Sequence, residues 1–286
     1  MMNEQKQWVH GSLFSGIGGF DLAAQWMGWR NAFHCEMDPF CQKVLQHHWP
    51  DADLHPDVKK MNGKQYADRI DILTGGFPCQ PYSAAGKREG KNDERHLWPE
   101  MLRIIREISP TWVVGENVHG LLNWSKGLVF TEIIADMEAA GYWIAPYLLP
   151  AAGVNAPHQR NRIFFICRKH TASYTHMPHA KHKVQTGGKL TAGPDESHSW
   201  FKAFPSFSPL CDGNDGISSW VDSPSAEKWR RNTLKAMGNA VVPPLIYQIF
   251  CAIEDMEQLM AEGITQISWD EFQQYQNTKD EAGKAK

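Results

Sequence analysis

The stretch that predicts the fold reads Gly11-Ser12-Leu13-Phe14-Ser15-Gly16-Ile17-Gly18-Gly19-Phe20. It starts as a short apolar run, Gly11–Phe14, which is typical of a strand. It continues into a glycine-rich turn of the kind that opens a helix and lets the backbone approach a ligand closely. The stretch therefore predicts a strand, a ligand-binding turn and a helix in direct succession.

Short apolar runs and amphipathic stretches alternate from this turn to residue 168. Two stretches, Pro99–Ile108 and Val129–Ala140, carry apolar residues at helical spacing. The alternation predicts an α/β fold, with a mostly parallel sheet covered by helices on both faces and ligands bound beyond the carboxyl ends of the strands. The further runs that we predict as strands are Ala32–Cys35, Ile70–Thr74, Thr111–Val114, Tyr142–Leu149 and Ile163–Cys167.

The texture of the sequence changes between His170 and Asn232, where polar residues, Gly and Pro dominate and periodicity fades. A structureless loop of this length is improbable in a compact domain, so we predict a small inserted region with its own fold. A helix is predicted at Val241–Met260, followed by a weakly ordered acidic tail. The predicted boundaries of the first domain, the insertion, the return to the first domain and the tail are 1–169, 170–232, 233–262 and 263–286.

Composition is that of an ordinary globular protein, with 42% apolar and 21% charged residues. No run of 18 or more apolar residues and no secretory leader is visible, so we expect a cytoplasmic protein without a membrane role. The net charge of -3 hides an acidic end, since residues 253–286 hold eight acids and three bases. Basic residues gather in predicted loops at Lys87, Arg88, Lys91 and Arg95, at Arg160 and Arg162, and at Lys228, Arg230 and Arg231. Such clusters serve solubility or contact an anionic partner.

The six cysteines are scattered and form no C-x-x-C pair. This spacing argues against a disulfide framework and against a zinc ribbon. Histidines occur at His170, His176, His179 and His182, but no cysteine or carboxylate lies among them at ligand spacing. We therefore predict no metal site, and a cysteine with a functional role would act as a free thiol.

One of these cysteines lies in a distinctive segment, Gly75-Gly76-Phe77-Pro78-Cys79-Gln80-Pro81-Tyr82-Ser83, directly after the predicted strand Ile70–Thr74. Two glycines permit tight backbone geometry and two prolines stiffen the path. The thiol of Cys79 is then held at the mouth of the crevice. The alternative is a buried structural cysteine, but a rigid turn at the ligand end of a strand is a poor place to bury one.

An acid, Glu36, follows the second predicted strand about 20 residues after the glycine turn. That spacing suits hydrogen bonds to ribose hydroxyls, whether the nucleoside belongs to NAD or to S-adenosylmethionine. The dinucleotide pattern requires a third glycine where Asp21 stands, which disfavours a dehydrogenase.

Five segments together resemble, in order and spacing, the motifs of cytosine-5 DNA methyltransferases. They are Phe14-Ser15-Gly16-Ile17-Gly18-Gly19, Pro78-Cys79-Gln80-Pro81-Tyr82-Ser83, Glu116-Asn117-Val118, Gln159-Arg160-Asn161-Arg162 and Gly238-Asn239-Ala240-Val241-Val242-Pro243. The resemblance covers about residues 10–168 and 235–255. It implies a Rossmann-like, S-adenosylmethionine-dependent catalytic domain that is interrupted by a target-recognition region and closed by a final helix.

The implied reaction transfers a methyl group to carbon 5 of a cytosine flipped out of a short duplex DNA site. Carbon 5 is a poor nucleophile, and addition of the Cys79 thiolate at carbon 6 activates it. By resemblance, Glu116 assists at ring nitrogen 3, Arg162 contacts the flipped base and Arg160 helps to fix the site.

The resemblance also implies binding residues. Those for S-adenosylmethionine are Phe14, Gly16, Gly18, Gly19, Glu36, Met37, Asp57, Asn239 and Val241. Phe14 would lie against the adenine, Glu36 would bind the ribose and Asp57 would lie near the adenine amino group. Those for double-stranded DNA are Gln80, Ser83, Lys87, Arg88, Arg95, Arg230 and Arg231, and Ser83–Trp98 is expected to be a mobile lid. We expect a monomer.

Two positions depart from the family pattern. His158 stands where the family usually has glutamine, and Met37 stands where many relatives carry an aromatic residue. Two other functions stay open: a tRNA cytosine-5 methyltransferase, and a catalytically silent DNA-binding regulator on the same scaffold. The tRNA branch usually carries a Cys-Phe-Thr tripeptide that this chain lacks, and an intact Cys79, Glu116 and Arg162 set disfavours the regulator.

Overall fold

A computed structural model describes residues 6–78, 97–154, 156, 158–171, 185–186 and 224–263. The strands within these residues are β1 (Val9–Leu13), β2 (Arg30–Cys35), β3 (Asp53–His55), β4 (Ile72–Gly75), β5 (Trp112–Val118), β6 (Tyr142–Pro150), β7 (Asn161–Lys169) and β8 (Gln185–Thr186). The helices are α1 (Gly19–Trp26), α2 (Pro39–His48), α3 (Trp98–Ile108), α4 (Leu128–Ala139), α5 (Pro224–Asn239) and α6 (Pro243–Ala261).

The described strands form one sheet in the order β3-β2-β1-β4-β5-β7-β6-β8. Its strands pair in parallel except at β7, which runs antiparallel to both β5 and β6. The predicted mostly parallel α/β sheet is thus confirmed. The strand order reverses between β1 and β4, and a crevice at such a switch point is where ligands bind in this class of sheet.

The core occupies both faces of the sheet, because alternate residues of a strand point to opposite sides. On one face, Leu73 and Val113 belong to a buried cluster with the apolar residues of α3 and α4. On the other face, Ile72 and Val114 belong to a second cluster with α1 and α6. The helices therefore cover the faces and leave the carboxyl ends of the strands open to a ligand.

By length and composition, the segment Trp229–Ala261 could cross a membrane. In the fold, Leu245, Ile249 and Phe250 of α6 are buried in the cluster that contains residues of α1 and the sheet. The segment is also interrupted between α5 and α6 at residues 240–242. The apolar residues of α6 are thus explained by core packing.

Three arginines were predicted wrongly as loop residues. Arg230 and Arg231 lie on α5, which begins at Pro224 and is rich in residues that favour helix. Arg162 lies within β7, which starts two residues earlier than predicted. α5 runs through the proposed boundary at residues 232 and 233, and the domain boundaries stay a prediction. Most of the proposed insertion and the tail lie outside the described residues.

Candidate active site

The glycine turn and the acid after β2 meet at the carboxyl edge of the sheet. The backbone N–H of Gly16 donates to Glu36 Oε2 over 2.8 Å, and that of Asp38 donates to Glu36 Oε1 over 2.7 Å. Gly16 has a φ of 56°, and a Cβ there would have no atom within 4 Å. At Gly18, with a φ of 85°, a Cβ would collide with the ring of Trp49. The turn is therefore packed on one side and open on the other.

The remaining residues expected to bind the cofactor differ in their contacts and exposure. Val241 packs against the start of α1, since a Cβ on Gly19 would lie 2.7 Å from Val241 Cγ2. Asn239 ends α5 and is exposed. Asp57 follows β3, and its Oδ1 accepts the N–H of Lys59 over 2.9 Å. Met37 is 75% exposed and Phe14, with a φ of 52°, is half-buried.

This arrangement fits S-adenosylmethionine. Each carboxylate oxygen of Glu36 already accepts one backbone N–H, and each keeps a second lone pair for a ribose hydroxyl. The turn leads into the N-terminus of α1, where Gly18 provides no side-chain cap, so N–H groups there can meet a carboxylate. The open side of Gly16 leaves space for the ligand.

A second acid lies farther along the same edge. Glu116 is in β5, two residues before its end, and Arg162 is in β7, opposite Val118. The register places Glu116 and Arg162 on one face of the sheet as diagonal neighbours. Their side chains form an ion pair, with 2.9 Å between Arg162 Nε and Glu116 Oε1, and the Glu116 side chain is only 12% exposed.

Burial of Glu116 raises the pKa of its carboxyl to about 6, although the positive charges of Arg162 and Arg160 act to lower it. A carboxyl group with such a pKa carries a proton in a useful fraction of molecules near neutral pH. Glu116 can therefore donate a hydrogen bond or a proton to a bound base, as a general acid must.

The chain that leads to Cys79 is attached beside this acid. Asn117 Nδ2 donates to the carbonyl oxygen of Phe77 over 2.9 Å, and the Phe77 ring packs on Trp98 with centroids 5.1 Å apart. A Cβ on Gly76 would lie 3.2 Å from Glu116 Oε2. Cys79 itself lies outside the described residues, as do Gln80, Ser83, Lys87, Arg88 and Arg95, and their roles stay predictions.

Arg160 joins the two parts of the site in a way that the sequence did not indicate. Its Nη1 donates to the carbonyl of Gly238 and its Nη2 to that of Ala240, each over 2.8 Å. Lys235 was also not predicted, and its Nζ lies 3.0 Å from Asp38 Oδ2. Only a fold could reveal both contacts, because the partners are far apart in sequence and two of them are backbone carbonyls.

The remaining candidates are exposed at the surface. Arg230 and Arg231 are exposed on α5, next to Trp229, which is 55% exposed. His158 is exposed in the connection between β6 and β7. Within the described part of the chain, no three His, Cys, Asp or Glu side chains are grouped so that they could hold a metal ion.

Comparison with known sequences gives one family. Residues 10–199, more than half of the chain, match the model of the C-5 cytosine-specific DNA methylase. Type II methyltransferase M.AquIA of Picosynechococcus sp. is 36% identical over 172 residues, which cover 54% of this chain and 69% of the relative. Type II methyltransferase M.NgoMIV of Neisseria gonorrhoeae is 36% identical over 161 residues, which cover 54% of this chain and 50% of the relative. The chain thus spans about half to two thirds of these relatives.

Solved structures show the same fold. The Dnmt2 methyltransferase of Schizosaccharomyces pombe (S. pombe) superposes with a TM-score of 0.57 at 15% identity, covering 87% of this chain and 99% of that chain. A mutant of Spodoptera frugiperda DNMT2 superposes with a TM-score of 0.53 at 20% identity, covering 64% and 55%. At these identities the likeness concerns the fold alone.

Proposed function

Since the chain belongs to the C-5 cytosine-specific DNA methylase family, whose members depend on S-adenosylmethionine, we propose that it methylates carbon 5 of cytosine in DNA. The substrate is a short site in double-stranded DNA. The observation that carries the proposal is the partly buried Glu116–Arg162 pair at the edge where the glycine turn and the chain leading to Cys79 also end.

Cofactor binding falls to the residues around the glycine turn. Glu36 accepts ribose hydroxyls, the turn and the start of α1 face the amino-acid moiety, and Val241 closes the pocket beside Gly19. When bound, the cofactor supplies an electrophilic methyl group. The residues of this chain do the rest, by making carbon 5 of the cytosine nucleophilic next to that group.

Cys79 starts the reaction as a thiolate that adds to carbon 6, so the ring electrons move toward carbon 5 and nitrogen 3. Glu116 relieves the charge at nitrogen 3 by donating a proton or hydrogen bond, and Arg162 holds that acid in place. Carbon 5 takes the methyl group, loses its proton to a base, and the thiolate leaves from carbon 6. Both faces of the ring are involved, so the cytosine must leave the base stack.

A trapping experiment tests the proposal. DNA that contains 5-fluorocytosine cannot lose its carbon-5 substituent, so it should form a denaturation-resistant adduct with the protein in the presence of S-adenosylmethionine. Cys79→Ala should abolish the adduct, whereas Cys251→Ala, which changes a half-buried cysteine on α6, should retain it. An adduct of full yield with Cys79→Ala contradicts the assignment.

Transfer of a labelled methyl group defines the substrate class in the same preparation. Label that is found in duplex DNA after the reaction supports the proposed function. Label found only in tRNA assigns the chain to an RNA methyltransferase, and no transfer to either together with specific DNA binding assigns it to a silent regulator.

A further inference from the structure

The end of α5 is held by an arginine from another part of the fold. The last carbonyls of a helix have no N–H donor within the helix, and a cation there also interacts favourably with the helix dipole. Arg160 meets both needs, because its two Nη atoms donate to Gly238 and Ala240. Its own backbone has a φ of 36°, which L-residues rarely adopt and which surrounding contacts must maintain.

This contact lies at the junction between α5 and α6. Val241 directly follows the held carbonyl of Ala240 and packs on Gly19, at the start of α1. A second attachment joins Lys235 to Asp38, whose N–H donates to Glu36. Lys235 is 67% exposed, so this ion pair is weak and screened by salt, and the two bonds from Arg160 are the stronger of the two polar attachments.

The same guanidinium also acts on the base-facing side of the site. Arg160 lies two residues before Arg162, and its positive charge helps to lower the pKa of Glu116. One side chain thus touches the segment that closes over the glycine turn and influences the acid assigned to the cytosine. Loss of its charge should raise the pKa of Glu116.

We propose that Arg160 is a positioning residue that couples the cofactor pocket to the base pocket, by holding the 238–242 junction against the glycine turn while its charge acts on Glu116. The inference rests on the proposed function and deepens it. Arg160 then acts on the cofactor only through Val241, and its effect on cofactor affinity should exist without DNA and without turnover.

Equilibrium dialysis with S-adenosylhomocysteine, in the absence of DNA, tests this coupling. We expect Arg160→Ala to bind about tenfold more weakly than the wild type, within the usual range of coupling between sites. Arg160→Lys, which keeps one charged donor, should fall between them. Arg162→Lys is the matched control and should bind like the wild type, because Arg162 pairs with Glu116 and not with the junction.

A double-mutant cycle separates this role from a general loss of structure. If Arg160 acts through Val241, the losses of affinity in Arg160→Ala and Val241→Ala should not add in the double variant. Additive losses overturn the inference, as does unchanged affinity in Arg160→Ala. The pH profile of methyl transfer supplies the second readout: the Glu116 limb should move to higher pH in Arg160→Ala, and an unmoved limb contradicts the coupling. If the wild type fails to bind the probe at all, the proposed function fails instead.

Discussion

The buried acid predicts an unusual dependence of stability on pH, which Glu116→Gln can isolate. In the fold, burial raises the pKa of Glu116 from 4.5 to about 6. The folded protein therefore holds this proton more tightly than the unfolded chain. The stability that comes from the protonated acid is fully present below pH 4.5 and is lost as pH rises through 6. A difference of about 1.5 in pKa corresponds to about 2 kcal/mol in the free energy of unfolding.

Glutamine resembles the protonated acid at every pH, so Glu116→Gln should escape this loss. Relative to the wild type, the free energy of unfolding of the variant should rise by about 2 kcal/mol between pH 4 and pH 7.5. Urea denaturation at several pH values measures this difference, and every other titrating group cancels because both proteins share it. A difference between the two proteins that stays constant over this range refutes the argument.

The positive charges that face Glu116 allow a second test of its pKa. Arg162 and Arg160 both act against the effect of burial, and Arg162 is in direct contact with the carboxylate. Arg162→Met should therefore raise the pKa of Glu116 further, and the fall in stability should shift to higher pH.

Although Glu116→Gln is the more stable protein at neutral pH, its turnover should be lower than that of the wild type by ~100- to 10,000-fold. A rate within about threefold of the wild type rejects the catalytic role.

Two further predictions concern the cofactor turn and the choice of DNA site. Gly19→Ala should weaken binding of S-adenosylhomocysteine, because the new methyl group would lie 2.7 Å from Val241 Cγ2. Gly238→Ala is the control and should bind S-adenosylhomocysteine normally, because its Cβ has open space around it. Equal binding by both variants contradicts this packing. Exchange of residues 170–232 for those of a relative should transfer the relative's site in bisulfite sequencing, and Arg230→Ala should cost ~1–3 kcal/mol at one position of the site if that arginine reads a base. If the chimera still methylates the original sequence, residues outside 170–232 determine the specificity.

Most strands of the central sheet could be predicted because each contains a short apolar run, although β5 extends four residues beyond its predicted end and β7 extends two residues beyond each predicted end. α2 and β3 could not. In α2 only Cys41 and Leu45 are buried, so its apolar periodicity is weak, and β3 has three residues. Among the described side chains of α5, Ala236 alone is buried. The sequence of α5 therefore shows no apolar periodicity that would predict a helix. Amphipathic patterns report burial, and these elements bury little.

The residue types of the site could likewise be read from motifs, but their connections could not. That Glu116 and Arg162 meet follows only once β5 and β7 are known to be antiparallel and in this register. The bonds from Arg160 end on carbonyl groups, which every residue possesses and no sequence pattern marks. Motifs thus identified groups that carry charge, while the fold was needed to show which charges share one environment.

The direction of β7 explains how an acid and a cation from distant segments come to share an edge. The carboxyl ends of β1, β4 and β5 lie at the crevice because these strands are parallel. A parallel β7 would place its first residues at the opposite edge, far from Glu116. Because β7 is antiparallel to β5, its N-terminal end, with Arg162 and the preceding Arg160, returns to the crevice. Among the described strands β7 alone is reversed, and its reversal brings the glycine turn, Glu116 and the two arginines to one edge of the sheet.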